Sequence, residues 1–136
     1  QLSELDQSPN VRYVVVACHH APYTNSKIVR SSAEVQQDFV PAYLKSTKAV
    51  LFITGHSHNF EHFIKNGKHF LVIGGGGGIH QPTRTSSTET NDLAKEYKPL
   101  FHYLIAGYTA KKIYLKSIYL APDFKRFEIG YQLTIP

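Results

Sequence analysis

The chain has 136 residues, 42% of them hydrophobic and 18% charged, which suits one domain with a core and excludes a disordered protein. No apolar run approaches the roughly 18 residues that a membrane helix needs. The net charge of +5 comes from scattered lysines and arginines, which argues against a nucleic-acid surface. The single cysteine, Cys18, excludes an intrachain disulfide and cannot by itself build a thiolate zinc site. Because the sequence starts with Gln and contains no Met, we expect it to be part of a longer chain.

The first third of the chain predicts a β-α-β unit. Two apolar runs rich in β-branched residues, Tyr13–Ala17 and Ala49–Ile53, predict strands that are buried on both faces. Between them, Ser31 and Ser32 are candidate N-caps for a segment with apolar residues at helical spacing. Pro41 lies inside that segment, so we expect a kink or two short helices. The two strands should then be parallel.

The rest of the chain predicts mainly antiparallel strands. Asn66-Gly67, between two apolar runs, predicts a tight hairpin of 60–65 with 68–73. Five glycines, Gly74–Gly78, follow it and suit either a flexible connector or a backbone that passes close beneath bound metal ions because it has no Cβ. Residues 1–10 are expected to form a helix end or linker, and residues 81–99 an irregular loop with a short helix near Asp92–Tyr97. Further strands are expected at 101–106, 112–120 and 124–135.

Histidines follow both strands of the predicted β-α-β unit. His19 and His20 come after the first strand, and His56 and His58 come after the second, within Gly55-His56-Ser57-His58. Ligands bind at the carboxyl ends of parallel strands in open α/β sheets, so these imidazoles should meet at one edge. Neutral imidazole is a common ligand for zinc, iron, manganese and nickel. The sequence therefore predicts a metal site built from two loops.

Two segments resemble a known superfamily. The run from Val16 to Tyr23 and the run from Gly55 to Glu61 resemble the last two signature blocks of the calcineurin-like metallophosphoesterases, and most closely those of the purple acid phosphatases. Gly74–Gly78 is similar to the glycine-rich turn that follows in those enzymes, and His62 stands where they often have Arg. The resemblance spans about residues 12–80. It implies an α/β fold, the C-terminal half of a layered αββα sandwich, with residues 1–136 forming part of a single domain.

The resemblance also implies roles for individual residues. His19 and His56 would bind one metal ion and His58 another, with His20 either replacing His19 or acting as a catalytic, substrate-facing group. Weaker candidates for substrate binding complete this set: Tyr23, Asn25 and His80. The cofactors would be two divalent or mixed-valence ions of iron, zinc or manganese.

The acidic blocks of the superfamily are missing from this sequence. Asp-x-His, Gly-Asp and Gly-Asn-His do not occur between Gln1 and Pro136. Those blocks precede the His blocks in the superfamily, so we expect them in a missing N-terminal half of the same domain. Three imidazoles cannot neutralise two divalent ions held roughly 3.5–4 Å apart. The segment alone is therefore expected to be inactive.

The implied activity of the whole protein is hydrolysis of a phosphomonoester or phosphodiester by a dinuclear metal centre. One alternative is a non-catalytic metal- or phosphate-binding domain on the same fold. Another is a single zinc ion held by His19, His56 and His58 with water as the fourth ligand. A basic nucleic-acid module ranks last, because the sequence lacks an aromatic stacking platform and a basic stripe. The acid phosphatase resemblance favours a secreted or periplasmic location.

Overall fold

The computed structural model describes residues 1–84 and 90–136. In chain order its elements are α1 Leu2–Gln7, β1 Val14–Cys18, α2 Ala33–Asp38, α3 Val40–Lys45, β2 Ala49–Thr54, β3 Phe60–Lys65, β4 Lys68–Ile73, β5 His102–Tyr108, β6 Ile113–Leu120 and β7 Phe127–Ile135.

The strands form two sheets. The first has the order β1-β2-β4-β3, with β1, β2 and β4 parallel and β3 antiparallel to β4. The second is the antiparallel meander β5-β6-β7. One apolar cluster, which includes Tyr43, Phe52 and Phe70, lies between α2, α3 and the first sheet. A second, which includes Leu51 and Leu115, lies between the two sheets. The predicted α/β class is confirmed.

The predicted β-α-β unit is present, since β1 and β2 are parallel and two short helices connect them. Ser32 is the N-cap of α2, and its Oγ accepts a hydrogen bond from the Val35 N–H at 3.2 Å. The helical segment divides at Phe39, and Pro41 lies in the first turn of α3, where its missing N–H costs no intrahelical bond. Two short helices, one of the two expected outcomes, are therefore formed.

The prediction that the first strand is buried on both faces is wrong. β1 is the outermost strand of its sheet, and its side chains alternate between half-buried and exposed, with Val15 46% exposed. The second strand, β2, lies between β1 and β4 and is largely buried, as predicted. An apolar run indicates a strand, but it does not determine the position of that strand in the sheet.

The hairpin of β3 and β4 is confirmed. Asn66 and Gly67 both have positive φ, 49° and 74°, as a type I′ turn requires. The predicted short helix near Asp92–Tyr97 is wrong. Residues 93–96 form a turn instead. The Asp92 carboxylate accepts hydrogen bonds from the backbone N–H groups of His62 and Ala94, which ties this turn to β3. Residues 85–89 of the predicted loop lie outside the described residues.

The three later strands form with bounds shifted by a few residues. The predicted helix end or linker at residues 1–10 corresponds to α1 and the residues around it. Within residues 1–84 and 90–136, none of the helices combines the length and hydropathy that crossing a membrane requires.

Candidate metal centre

The loops that carry the histidines lie side by side. Cys18 at the end of β1 pairs with Thr54 at the end of β2, so the two chains leave the sheet at the same level. The Gly55 N–H then donates a hydrogen bond to the carbonyl of His19 at 3.1 Å. The expected convergence of the two loops at one edge of the sheet is therefore observed.

Three imidazoles meet at this edge. His19 Nε2 lies 3.2 Å from His56 Nδ1, and the ring centroids of His20 and His56 are 4.4 Å apart. One ligand atom from each of the three residues lies within 4.8 Å of the other two. His19 and His20 are exposed and His56 is half-buried, so the group is accessible from solvent. We call His19, His20 and His56 the imidazole cluster.

The backbone at His56 is in a conformation that is unusual for a non-glycine residue. Its φ is +57°, in the left-handed region, and such a residue costs roughly 1–3 kcal/mol unless its surroundings hold it. The Ser57 N–H donates to the Gly55 carbonyl at 2.6 Å and closes a tight turn around His56. Strain of this kind is concentrated at functional sites. Here the turn is what directs the His56 ring toward His19.

Electrostatics favour the neutral form of His56. Partial burial lowers its pKa, and the neighbouring rings of His20, His19 and His58 lower it further. A neutral imidazole has a free lone pair for a metal ion, whereas an imidazolium has none. His56 therefore favours the protonation state that binds metal.

His58 lies outside the imidazole cluster. Its Nδ1 is within hydrogen-bond distance, 3.0 Å, of the Ile79 carbonyl oxygen, and its ring packs against Gly78. The two histidines of the Gly55–His58 turn therefore point in different directions. Binding of a second ion by His58 stays a prediction.

The glycine run passes directly beneath the turn that carries His56. A Cβ on Gly74 would collide with the backbone carbonyl of Ser57, and one on Gly78 would collide with the His58 ring. A Cβ on Gly75 would likewise collide with the His102 ring. Gly74, Gly75 and Gly78 are therefore required for close approach to protein atoms, and the passage of the run beneath metal ions stays a prediction.

A buried carboxylate supports the loop after His20. Glu61 is fully buried, accepts a hydrogen bond from the Thr24 hydroxyl at 2.5 Å and accepts another from the Asn25 N–H at 2.7 Å. Burial raises its pKa, and these two hydrogen bonds oppose that effect. The Thr24 and Ser57 hydroxyl oxygens also lie 3.1 Å apart, within hydrogen-bond distance, which links both histidine-bearing loops. Sequence reasoning placed Glu61 in a family block but did not identify this supporting role.

The three weaker substrate candidates lie outside the imidazole cluster. Asn25 is buried, and its side chain exchanges hydrogen bonds with the backbone of Thr90. Tyr23 is half-buried and packs edge-on against Phe70, with ring centroids 5.0 Å apart. Among the described residues, the buried Nε2 of His80 has no hydrogen-bond partner. Contact of these residues with a substrate stays a prediction.

The donor set fits one metal ion. Three imidazoles with water in an open fourth position are a donor set that tetrahedral zinc sites use. Within residues 1–84 and 90–136, no Asp or Glu belongs to the group of ligand atoms. A pair of ions needs carboxylates to bridge and neutralise it, so the residues present do not by themselves fit two.

No protein-family model matches the sequence, and comparison with curated proteins finds no match. Among solved structures, the chain is similar to GAP50, the anchor in the inner membrane complex of Plasmodium, with a TM-score of 0.70 and 19% identity. The match covers 98% of this chain and 39% of the GAP50 chain, so this chain spans well under half the length of that protein. At this identity the likeness shows a shared fold.

Two structures of Vps29 from Entamoeba histolytica also match. For the wild type complexed with zinc, the TM-score is 0.47 and the identity is 17%. The match covers 79% of this chain and 49% of the Vps29 chain. For a single mutant, the TM-score is 0.43 and the identity is 11%. The match covers 99% of this chain and 88% of the mutant Vps29 chain.

Proposed function

We propose that this chain is a metal-binding domain of the metallophosphoesterase type, which holds one transition-metal ion and is not catalytic by itself. The observation that carries the proposal is the meeting of His19, His20 and His56, from two separate loops, with ligand atoms within 4.8 Å of one another. GAP50 serves as an anchor, which is compatible with a non-catalytic protein on this fold.

The chain's own residues explain how such a site would be held ready. Gly55 donates to His19 and fixes the spacing of the two loops, while the turn at His56 directs its ring into the cluster. Glu61 holds the loop that follows His20. Because these supports are hydrogen bonds of the folded chain, little rearrangement is needed when an ion binds. The imidazoles prefer zinc, copper or nickel over magnesium or calcium.

Zinc titration by calorimetry tests the proposal. The wild-type chain should bind one zinc ion, and His56→Ala should weaken binding by at least about tenfold, which corresponds to about 1.4 kcal/mol. His80→Ala is the matched control, because it removes a half-buried imidazole outside the cluster and should leave the affinity unchanged. Equal loss in both variants, or no binding by the wild type, would reject the assigned site.

The second candidate is a phosphoesterase with a dinuclear centre, of which this chain supplies the imidazole half. The resemblance of the segments around His19 and His56 to the superfamily blocks favours it, and the fold is compatible with it. Bound ions in such centres supply a hydroxide nucleophile and stabilise the charge on the phosphoryl group. The acidic ligands, the phosphate-ester substrate and a secreted or periplasmic location all remain predictions under this proposal.

A longer polypeptide that includes the preceding sequence tests the second candidate. It should hydrolyse a chromogenic aryl phosphate, and His56→Ala should reduce the rate by orders of magnitude. His58→Ala should also reduce it if that imidazole binds a second ion. A longer polypeptide that binds zinc but shows no turnover would leave the non-catalytic function as the correct one.

A further inference from the structure

The loop after β1 is joined to the segment that follows the glycine run. Ser26 forms an isolated antiparallel bridge with Thr83, and Ser26 is fully buried at this junction. Beside the bridge, the Lys27 N–H donates a hydrogen bond to the Pro82 carbonyl at 2.8 Å. The residues on either side of the bridge are therefore held next to each other, although they are far apart in the sequence.

The joined segments border the candidate metal centre. The Gln81 N–H donates to the His58 carbonyl at 2.9 Å, and the Ile79 carbonyl oxygen lies 3.0 Å from His58 Nδ1. His58 follows two residues after His56, which belongs to the imidazole cluster. Side chains on these segments therefore form part of the rim of that site.

The charged side chains of the joined segments are all positive. Lys27, Arg30 and Arg84 are exposed. Residues 19–32 and 74–84 contain no Asp or Glu. The cations are scattered along the sequence, and the bridge between the segments brings them to one surface. This surface has the charge that an anionic partner requires.

Two isoleucines are exposed among these cations. Ile28, which directly follows Lys27, is 66% exposed. Ile79 is 89% exposed, the highest value among the large hydrophobic side chains of the described residues. An aliphatic side chain gains free energy when it leaves water, and a cation gains free energy beside an anion. A surface that offers both suits an anionic lipid bilayer, in which charged headgroups lie directly above hydrocarbon.

We propose that Lys27, Ile28, Arg30, Ile79 and Arg84, which we call the basic rim, dock the chain onto the surface of an anionic lipid bilayer. The cations contact the phosphate and carboxylate groups of the lipids, and the isoleucines enter the boundary between headgroups and hydrocarbon. A nucleic acid fits less well, because the rim has no aromatic side chain on which a base can stack. Docking requires no bound metal, so the basic rim goes beyond the proposed function.

Vesicles of phosphatidylcholine with about 30% phosphatidylserine are the probe, and the chain should sediment with them. Lys27→Gln combined with Arg84→Gln should weaken binding about 25-fold, since each cation at such a surface contributes about fivefold. Lys111→Gln combined with Lys112→Gln is the matched control. It removes the same charge from the β5–β6 connection, which lies beside Arg12 at the opposite end of β1 from the histidines. Equal loss in the two double variants would mean that net charge alone drives binding and would overturn the proposal.

A tryptophan in the rim reports whether the isoleucines enter the bilayer. The chain contains no Trp, so Ile79→Trp supplies a single fluorescent reporter. Its emission should shift to the blue on vesicles, because tryptophan partitions into the membrane interface. Ile129→Trp is the control, since Ile129 is 57% exposed on the second sheet, and its emission should not shift. A shift in both variants or in neither would contradict docking through the rim.

Competition distinguishes a lipid surface from other anionic partners. Soluble glycerophosphoserine and a DNA oligonucleotide should not release the chain from the vesicles, and binding should persist in a metal chelator. Release by either competitor would assign the rim to a free anion or to a nucleic acid, and release by the chelator would assign the lipid headgroups to the metal site. Each of these results overturns the proposal. If zinc fails to bind but the chain still sediments with vesicles through Lys27 and Arg84, the proposed metal site is wrong and the basic rim stands.

Discussion

Glu61 Oε1 accepts a hydrogen bond from the backbone N–H of Asn25 at 2.7 Å, which joins the buried strand β3 to the loop after the imidazole cluster. The Thr24 hydroxyl donates a second hydrogen bond to the same carboxylate. Thr24 and Asn25 are both buried, so Glu61 provides acceptors for two donors that are shielded from water. The geometry of the cluster therefore depends on a side chain that does not belong to it.

Replacing this carboxylate should destabilise the fold and weaken metal binding together. Glu61→Ala leaves the N–H of Asn25 without its acceptor, and an unsatisfied buried group costs about 1–3 kcal/mol. Denaturant unfolding should show that loss, and zinc affinity should fall because the loop after His20 is released. Glu96→Ala, at an exposed position, is the control and should change neither quantity. Unaltered zinc affinity in a folded Glu61→Ala protein would contradict the supporting role.

A methyl group on Gly74 should disturb the turn that carries His56. The added Cβ would collide with the backbone carbonyl of Ser57, which cannot move without displacing its neighbours, so Gly74→Ala should cost about 1–3 kcal/mol of unfolding free energy. Gly76→Ala is a matched control, because a Cβ there meets nothing within 4 Å. Chemical denaturation of both variants gives the comparison. Similar losses in the two would show that the glycine run is not packed against the turn.

Much of the fold was predictable because local chemistry determines it. The β-α-β unit, the division into two helices near Pro41 and the Asn66-Gly67 turn all follow from short patterns, and all are observed. The convergence of the two histidine loops followed from the parallel pairing of β1 and β2. The exposure of β1 was not predictable, because it depends on which strand lies beside it.

Which histidines form the imidazole cluster was harder to predict than where the cluster lies. His20 is adjacent to His19, and His58 lies two residues after His56. This spacing in the sequence does not determine the direction in which each ring points. The positive φ of His56 and the hydrogen bond between His58 and Ile79 determine that direction, and both arise from tertiary contacts. The role of Glu61 depends on a partner 36 residues earlier in the chain, which no local pattern reveals.

Stability should fall as the pH is lowered from about 6.5 to about 4. Burial lowers the pKa of His62 to about 4, with the His69 ring adding to the effect and Asp92 opposing it. Burial likewise lowers the pKa of His102 to about 4, with His80 adding to it. Between those pH values the unfolded chain binds more protons than the folded chain, so stability is present above about 6.5 and is lost toward 4.

His62→Gln isolates one part of this pH dependence. Each histidine can contribute up to about 3 kcal/mol over the window, and Glu61, whose pKa is raised, contributes with the opposite sign. Urea unfolding at several pH values should give a shallower dependence for His62→Gln than for the wild type. Parallel curves would mean that His62 is protonated in the folded protein at mildly acidic pH.

Zinc should stabilise the folded chain by mass action, because the cluster is assembled only when β1 and β2 are paired. At a free zinc concentration of 100 times the dissociation constant, the gain is about 2.7 kcal/mol, which raises the melting temperature by on the order of 10 °C. Calorimetric melting with and without zinc measures it, and a chelator should reverse it. His56→Ala should abolish the shift, whereas His58→Ala should retain it if one ion is held by His19, His20 and His56 alone. A shift lost equally in both variants would place His58 among the ligands and would require its ring to leave the Ile79 carbonyl when the ion binds.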